Sequence, residues 1–359
     1  MICAGSGGVG KTTTSAAIAT GLAARGARVA VVTIDPARRL ADALGLDELA
    51  GDPERVDPAR FASAGLGLKG ELWAMTLDPK RTFDELIERL APDRRSREEV
   101  LSNRIYQQLS GAVAGSQEFT AVAKLYELNA SGRFDVLVLD TPPSRNALDF
   151  LDAPDRLTGF LEGRALRMLL TPSGLAARVV GRGTGVVFGV LERLTGVDLL
   201  QDVSVFLRAL GGLMEGFRER AEGVRRLLAD PATTFLVVTS PEREPVEEAI
   251  FFREKLRESR MPFGGLIVNR VNRLDRGFEP LPDPEAVVAE LGPELGAALA
   301  AKVGRTYAEA VALAERDTAA IERLRCATGD EEPVLVPELD GDVHDVGGLL
   351  AVHGHLFPS

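Results

Sequence analysis

The octapeptide Gly5-Ser6-Gly7-Gly8-Val9-Gly10-Lys11-Thr12 satisfies G-x-x-x-x-G-K-[ST] at every position. Glycines at this spacing let backbone N–H groups turn inward around phosphate oxygens, and the lysine adds a cation that reaches the β- and γ-phosphates. The Thr12 hydroxyl is an oxygen donor suited to a magnesium ion held beside them. Thr12 to Arg25 is Ala-rich and ends at Gly26, so a helix should begin at the loop, with Thr13 in its first turn, and point its positive dipole end at the anion. Gly5, Gly7 and Gly10 also fit G-x-G-x-x-G, the dinucleotide fingerprint, with Asp35 available for a ribose; in that reading Lys11 and Thr12 have no task. A second acid, Asp140, closes the apolar run Phe134 to Leu139, where a carboxylate on the magnesium side of a nucleoside triphosphate belongs.

Short apolar runs bounded by turn residues must position these groups: Arg28 to Ile34, Leu72 to Leu77, Phe134 to Leu139, Thr234 to Thr239, Leu266 to Val268 and Val334 to Val336. Most lack polar alternation, as strands buried on both faces of a parallel sheet do. Helical spacing lies between several of them, in Arg243 to Arg257 for example, and strand–helix alternation predicts an α/β doubly wound sheet. Two stretches, 81–130 and 155–228, read as helices without strands. They are expected to form a helical subdomain inserted into an α/β core made of 1–80, 131–154 and 229–359, with Gly181 to Gly185 as its most flexible point.

Composition excludes several classes. With 359 residues the chain holds two domains or one large α/β domain with an insertion. A formal charge of −11 argues against a nucleic-acid partner. Two cysteines, Cys3 and Cys326, exclude a disulfide framework or a four-Cys zinc site, and three histidines confined to the last sixteen residues leave none for a catalytic triad in the body of the fold. The run Met1 to Gly5 has neither the basic nor the apolar region of a signal peptide, and no segment reaches 18 consecutive apolar residues, so a cytoplasmic protein is expected. Only Met1 to Ala4 precede the loop, where a buried strand usually takes about five or six residues; either strand one is short or the start lies upstream.

The run Gly-x-Gly-Gly-Val-Gly-Lys-Thr-Thr over Gly5 to Thr13 is narrower than the general loop. It resembles the deviant loop of the arsenical-pump-driving and tail-anchored-protein-targeting ATPases, which belong with the Min- and Par-type dimeric ATPases. Thr33-Ile34-Asp35-Pro36-Ala37-Arg38-Arg39-Leu40 looks like that family's switch I, and Leu139-Asp140-Thr141-Pro142-Pro143-Ser144 like its switch II. Asn269 stands where the family reads adenine, and Pro337 where it closes the base pocket. The wording from Asp140 to Pro154 is similar to the actinobacterial anion-transporting branch, whose members work as two unlike paralogues. The resemblance implies a P-loop NTPase fold, ATP and Mg2+ as cofactors, and a dimer that ATP closes. It implies that Asp35 orients the attacking water and that Gly5 to Thr13 cradle the phosphates. Thr12 and, through water, Asp140 would hold the metal, and Asn269 and Pro337 the base. Read from the residues alone, Asp35 could instead cap a helix, Asp140 could be an ordinary strand-end acid and Asn269 a turn residue.

The sequence departs from the family at its defining position. The signature lysine that reaches across the dimer is replaced by Ser6, so a homodimer is expected to hydrolyse ATP poorly unless a lysine-bearing paralogue donates the cation. Arg145 stands in switch II where the family usually has Gly, as a second candidate cation. No Cys-x-x-Cys and no thiolate cluster is present for a soft metalloid. Only Met168 and Met214 lie in the helical insertion, few for a Met-lined groove that takes a membrane client.

Overall fold

The computed structural model describes residues 1–35, 37–103, 106–107, 116–141, 213–273, 282–330, 332–339 and 341–358. Pro142 to Ser144, Arg145, Met168, Gly181 to Gly185 and most of the 155–228 stretch lie outside them.

Eight strands form one sheet: β1 (Ile2–Ala4), β2 (Arg28–Thr33), β3 (Glu54–Arg55), β4 (Glu71–Thr76), β5 (Val136–Asp140), β6 (Phe235–Thr239), β7 (Phe263–Val271) and β8 (Val334–Pro337). Their order is β3-β4-β2-β5-β1-β6-β7-β8, parallel throughout except for β3, which runs antiparallel to β4 at the edge. The expected α/β architecture is what the chain adopts. Alternate residues of each central strand feed two cores. Val29 and Val31 of β2, Val138 of β5 and Val238 of β6 face one side, while Val32, Leu139, Phe235 and Val237 face the other. Burial on both faces is why these runs carry almost no polar alternation.

The first face is covered by α1 (Lys11–Ala24) and α11 (Val346–Leu356), through Ala16, Ala17, Ile18, Leu349 and Val352. Between them in the chain, α2 (Arg39–Ala43) and α3 (Ala59–Ser63) add Leu40, Ala43 and Phe61. Gly21 of α1 lies directly under the Phe357 ring, where a Cβ would come 2.2 Å from it, so the two helices pack at close range.

On the second face lie α6 (Ser116–Ala130), α7 (Met214–Ala229), α8 (Arg243–Glu258) and one end of α10 (Ala297–Thr328), supplying Val122, Val224, Val246 and Leu324. In the 81–130 stretch, α4 (Pro79–Leu90) and α5 (Arg94–Leu101) precede α6; α4 is started by Asp78 accepting from Arg81 N at 3.0 Å and α5 by Asp93 accepting from Ser96 N at 2.7 Å. These helices and α7 enclose a separate small core of Ile87, Val100, Leu213 and Phe217. The remaining helix, α9 (Pro284–Leu295), packs on α10.

Three readings of the sequence need correction. The residues before Cys326 read as a short helix over Ile321 to Arg325; it is one end of the 32-residue α10. β3 was not anticipated, because its two residues are exposed and charged and lie in no apolar run. Asn269 does not follow its strand: β7 continues to Val271, with a register irregularity against β8 between Val268 and Val271 and with Arg270 in the left-handed region at φ 58°. No described helix is long and apolar enough to cross a membrane.

Candidate nucleotide-binding site

The carboxyl ends of β1, β2 and β5 meet at the point where the chain leaves the sheet centre in two directions, the place where open α/β sheets bind ligands. From Ala4 the chain turns through the glycine loop into α1. Gly10 precedes the first helical turn at φ 91°, and a Cβ there would lie 2.3 Å from Asn269 Nδ2, so both backbone shape and space demand glycine. No described side chain caps the start of α1, which leaves its first N–H groups for an anion. Lys11 is buried and its Nζ donates to the Ser6 carbonyl at 2.6 Å. Burial lowers its pKa; the charges of Asp140, Asp35 and Glu248 oppose that.

Asp140 is placed by strand register, paired with Cys3 of β1 on one side and Thr33 of β2 on the other. It is 1% exposed. Its Oδ2 accepts from Thr12 Oγ1 at 2.7 Å and from Thr33 Oγ1 at 2.8 Å, while Oδ1 is buried without a hydrogen-bond partner. A buried carboxylate with one orphaned oxygen, touching a hydroxyl, is a donor set of hard oxygens that fits a magnesium ion held with water. Burial pushes Asp140 from an ordinary 3.8 up to about 6, against the lowering effect of the two hydroxyls and Lys11. Between those two values Asp140 holds a proton more fully in the folded chain than in the unfolded one. Its contribution to stability falls as pH rises from about 4 to 6, and its full cost is present above that. Asp140→Asn should raise the stability of the nucleotide-free chain at pH 8, by an amount on the order of 3 kcal/mol at most, and the gain should vanish near pH 4. Thermal unfolding of both forms across that range checks it; an equal gain at both ends would contradict the assignment.

Asp35 follows β2. Its Oδ1 accepts from Ala37 N at 2.9 Å and its Oδ2 lies 3.6 Å from Arg39 Nη1. It caps no helix: α2 begins behind Arg38, and the Asp35 contact is a turn two residues long. Asp35, Lys11, Thr12, Thr13, Asn269 and Pro337 all line one cavity of about 400 Å³, within the range of small-ligand sites. Gly8 and Gly10 line it as well; Gly5, Ser6, Gly7 and Val9 do not. Val9 is buried and its carbonyl accepts from Asn269 Nδ2 at 2.9 Å. Ser6 is turned away, its hydroxyl donating to Glu248 of α8. Cys3 is fully buried in β1, with its thiol pushed up to about 11 by burial, and Cys326 is exposed on α10.

Thr33 and Arg39 fall within the switch I run, but their contacts to Asp140 and Asp35 were not read from it. Glu248, Arg270 and the segment after β8 that carries Leu339 and His344 to the cavity wall were missed. They reach the site only through register or long-range packing.

The sequence model of the anion-transporting ATPase family matches residues 1–275. The chain belongs to that family. Its relatives include ATPase ARSA2 of Chlamydomonas reinhardtii, 26% identical over 272 residues, covering 74% of this chain and 66% of that protein. ATPase ARSA1 of the same alga is 27% identical over 298 residues, covering 76% and 35%. ATPase get3 of Schizosaccharomyces japonicus is 28% identical over 268 residues, covering 74% and 72%. The chain thus spans two thirds or less of the length of the two algal relatives. The family match ends before α9, α10, β8 and α11, although β8 and the segment behind it supply much of the cavity wall.

Proposed function

We propose that the chain binds Mg·ATP in this cavity and hydrolyses it as one half of a dimeric switch. The convergence of Lys11, Thr12, Asp35, Asn269 and Pro337 on one cavity, with Asp140 bonded to Thr12 beneath it, carries the reading. In this assignment Gly8, Gly10 and the start of α1 present backbone N–H groups to the phosphates, and Lys11 exchanges its Ser6 carbonyl for a phosphate oxygen. Bound magnesium would neutralise phosphate charge, held by Thr12 and, through water, Asp140. Asp35 accepts a proton of the attacking water and aims it. Asn269 and Pro337 enclose the base.

The dimer partner is a paralogue that retains the signature lysine. The support is Ser6, which carries no cation and is tied back to Glu248 of its own chain. The same observation supports a second reading, a nucleotide-sensing subunit with little turnover that regulates its partner. In both, the helical insertion expected over 81–130 and 155–228 is what nucleotide-driven dimer closure moves, except for α6 and α7, which pack on the sheet, and the chain acts in the cytoplasm without binding nucleic acid. A membrane protein or other client is the natural object of that motion. Asp35→Asn separates the two readings. For a hydrolase assembled with its partner, kcat falls about 100-fold with ATP affinity unchanged. An unchanged kcat would remove Asp35 from the chemistry and leave the sensing reading.

A further inference from the structure

The end of β7 departs from regular geometry at the position that faces the cavity. Arg270 takes a left-handed backbone at φ 58°, which costs a non-glycine residue on the order of 1 kcal/mol and persists only where neighbours impose it. The register against β8 breaks between Val268 and Val271 and is resumed there, Val271 pairing with Pro337 and its carbonyl accepting from Glu338 N at 3.1 Å. This excursion lets Asn269 reach across to the phosphate loop, with Nδ2 on the Val9 carbonyl and the amide against Gly10.

What closes the excursion is a carboxylate from α10. Asp317 is 0% exposed. Its Oδ2 accepts from the backbone N of Asn272 at 2.8 Å and from Asn272 Nδ2 at 2.9 Å; its Oδ1 accepts from Arg316 Nε at 3.0 Å and Nη2 at 2.8 Å. A buried charge is costly unless its lone pairs are filled, and these are, by two donors from the strand end and a guanidinium half open to water. Hydrogen bonds join α10 to Asn272, and two residues of strand, Val271 and Arg270, carry the constraint to Asn269 and on to Val9.

We propose that Asp317 is a positioning residue of the nucleotide site. It fixes the β7 excursion so that Asn269 holds the phosphate loop and faces the base at once. The proposal rests on the ATP-site reading above, and concerns a residue outside the 1–275 that match the family.

A double-mutant cycle tests it. The equilibrium affinity of the full chain for a fluorescent ATP analogue is measured in Mg2+, well below the unfolding temperature, for wild type, Asp317→Asn, Asn269→Ala and the double variant. Asp317→Asn should weaken binding about tenfold, and should add almost nothing once Asn269 is gone, because both changes act through one side chain. Equal effects in the two backgrounds, or a single variant that binds as wild type does, would overturn the proposal, since a residue that only supports the fold lowers the unfolding temperature without this coupling. If Asp317→Asn does not fold, Asn272→Ala removes a donor from the strand side and enters the same cycle with the same two outcomes. A folded wild type that binds no ATP would remove the site reading and this proposal with it. A wild type that binds, with additive variants, removes this proposal alone.

Discussion

The double variant Ser6→Lys/Glu248→Gln should turn over ATP on the order of 10³ times faster than the wild-type chain when each is assayed without a partner. A cation donated across a nucleotide site stabilises charge spread over the transferring phosphoryl group, and such fingers are worth about 10³–10⁵ in rate. Ser6 donates its hydroxyl to Glu248 and can supply no charge. A lysine placed at that position alone would meet the Glu248 carboxylate of its own chain first, so the single Ser6→Lys variant should gain far less than the double one. Glu248→Gln alone adds no cation and should gain nothing. Steady-state phosphate release from the three variants gives the comparison. Equal rates for Ser6→Lys and the double variant would show that Glu248 does not hold the lysine back, and no gain in either would show that the missing cation is not what limits the chain.

Lys11→Ala should lower ATP turnover by on the order of 10³ in any assembly in which the wild type is active, and should weaken ATP binding as well. The ammonium sits buried at the start of α1 on the Ser6 carbonyl. Removing a preorganised charge-stabilising donor from a water-poor site costs about 10²–10³ on its own, and here the same group also contributes to ground-state binding. Turnover and affinity measured on one preparation test both halves; a variant that binds ATP as tightly as the wild type would move the phosphates elsewhere in the cavity.

How much of this was legible in the sequence follows from the range of each interaction. The loop, the helix behind it, Asp35 and Asp140 are local patterns: a glycine-lysine spacing, and acids that end apolar runs. The central strands were equally plain, since Val29 to Val32 and Phe235, Val237 and Val238 are buried and carry no competing signal. α10 was mostly missed because few of its residues are buried, so no apolar stripe marks its length. β3 was missed because its two residues are exposed and charged and leave no apolar pattern. Thr33 meets Asp140 through strand register, Glu248 meets Ser6 across 242 positions and Asp317 meets Asn272 across 45; nothing at either end of those pairs announces the other. The left-handed Arg270 belongs with these, imposed by neighbours at a residue whose type argues against it.

Whether this cavity takes Mg·ATP is read out by calorimetric titration of the purified wild-type chain with ATP. Binding is expected at one site per chain, weakened when Mg2+ is withheld and weakened further by Lys11→Ala. A folded wild-type chain that takes up no ATP, or a Lys11→Ala variant that binds as the wild type does, would contradict the assignment.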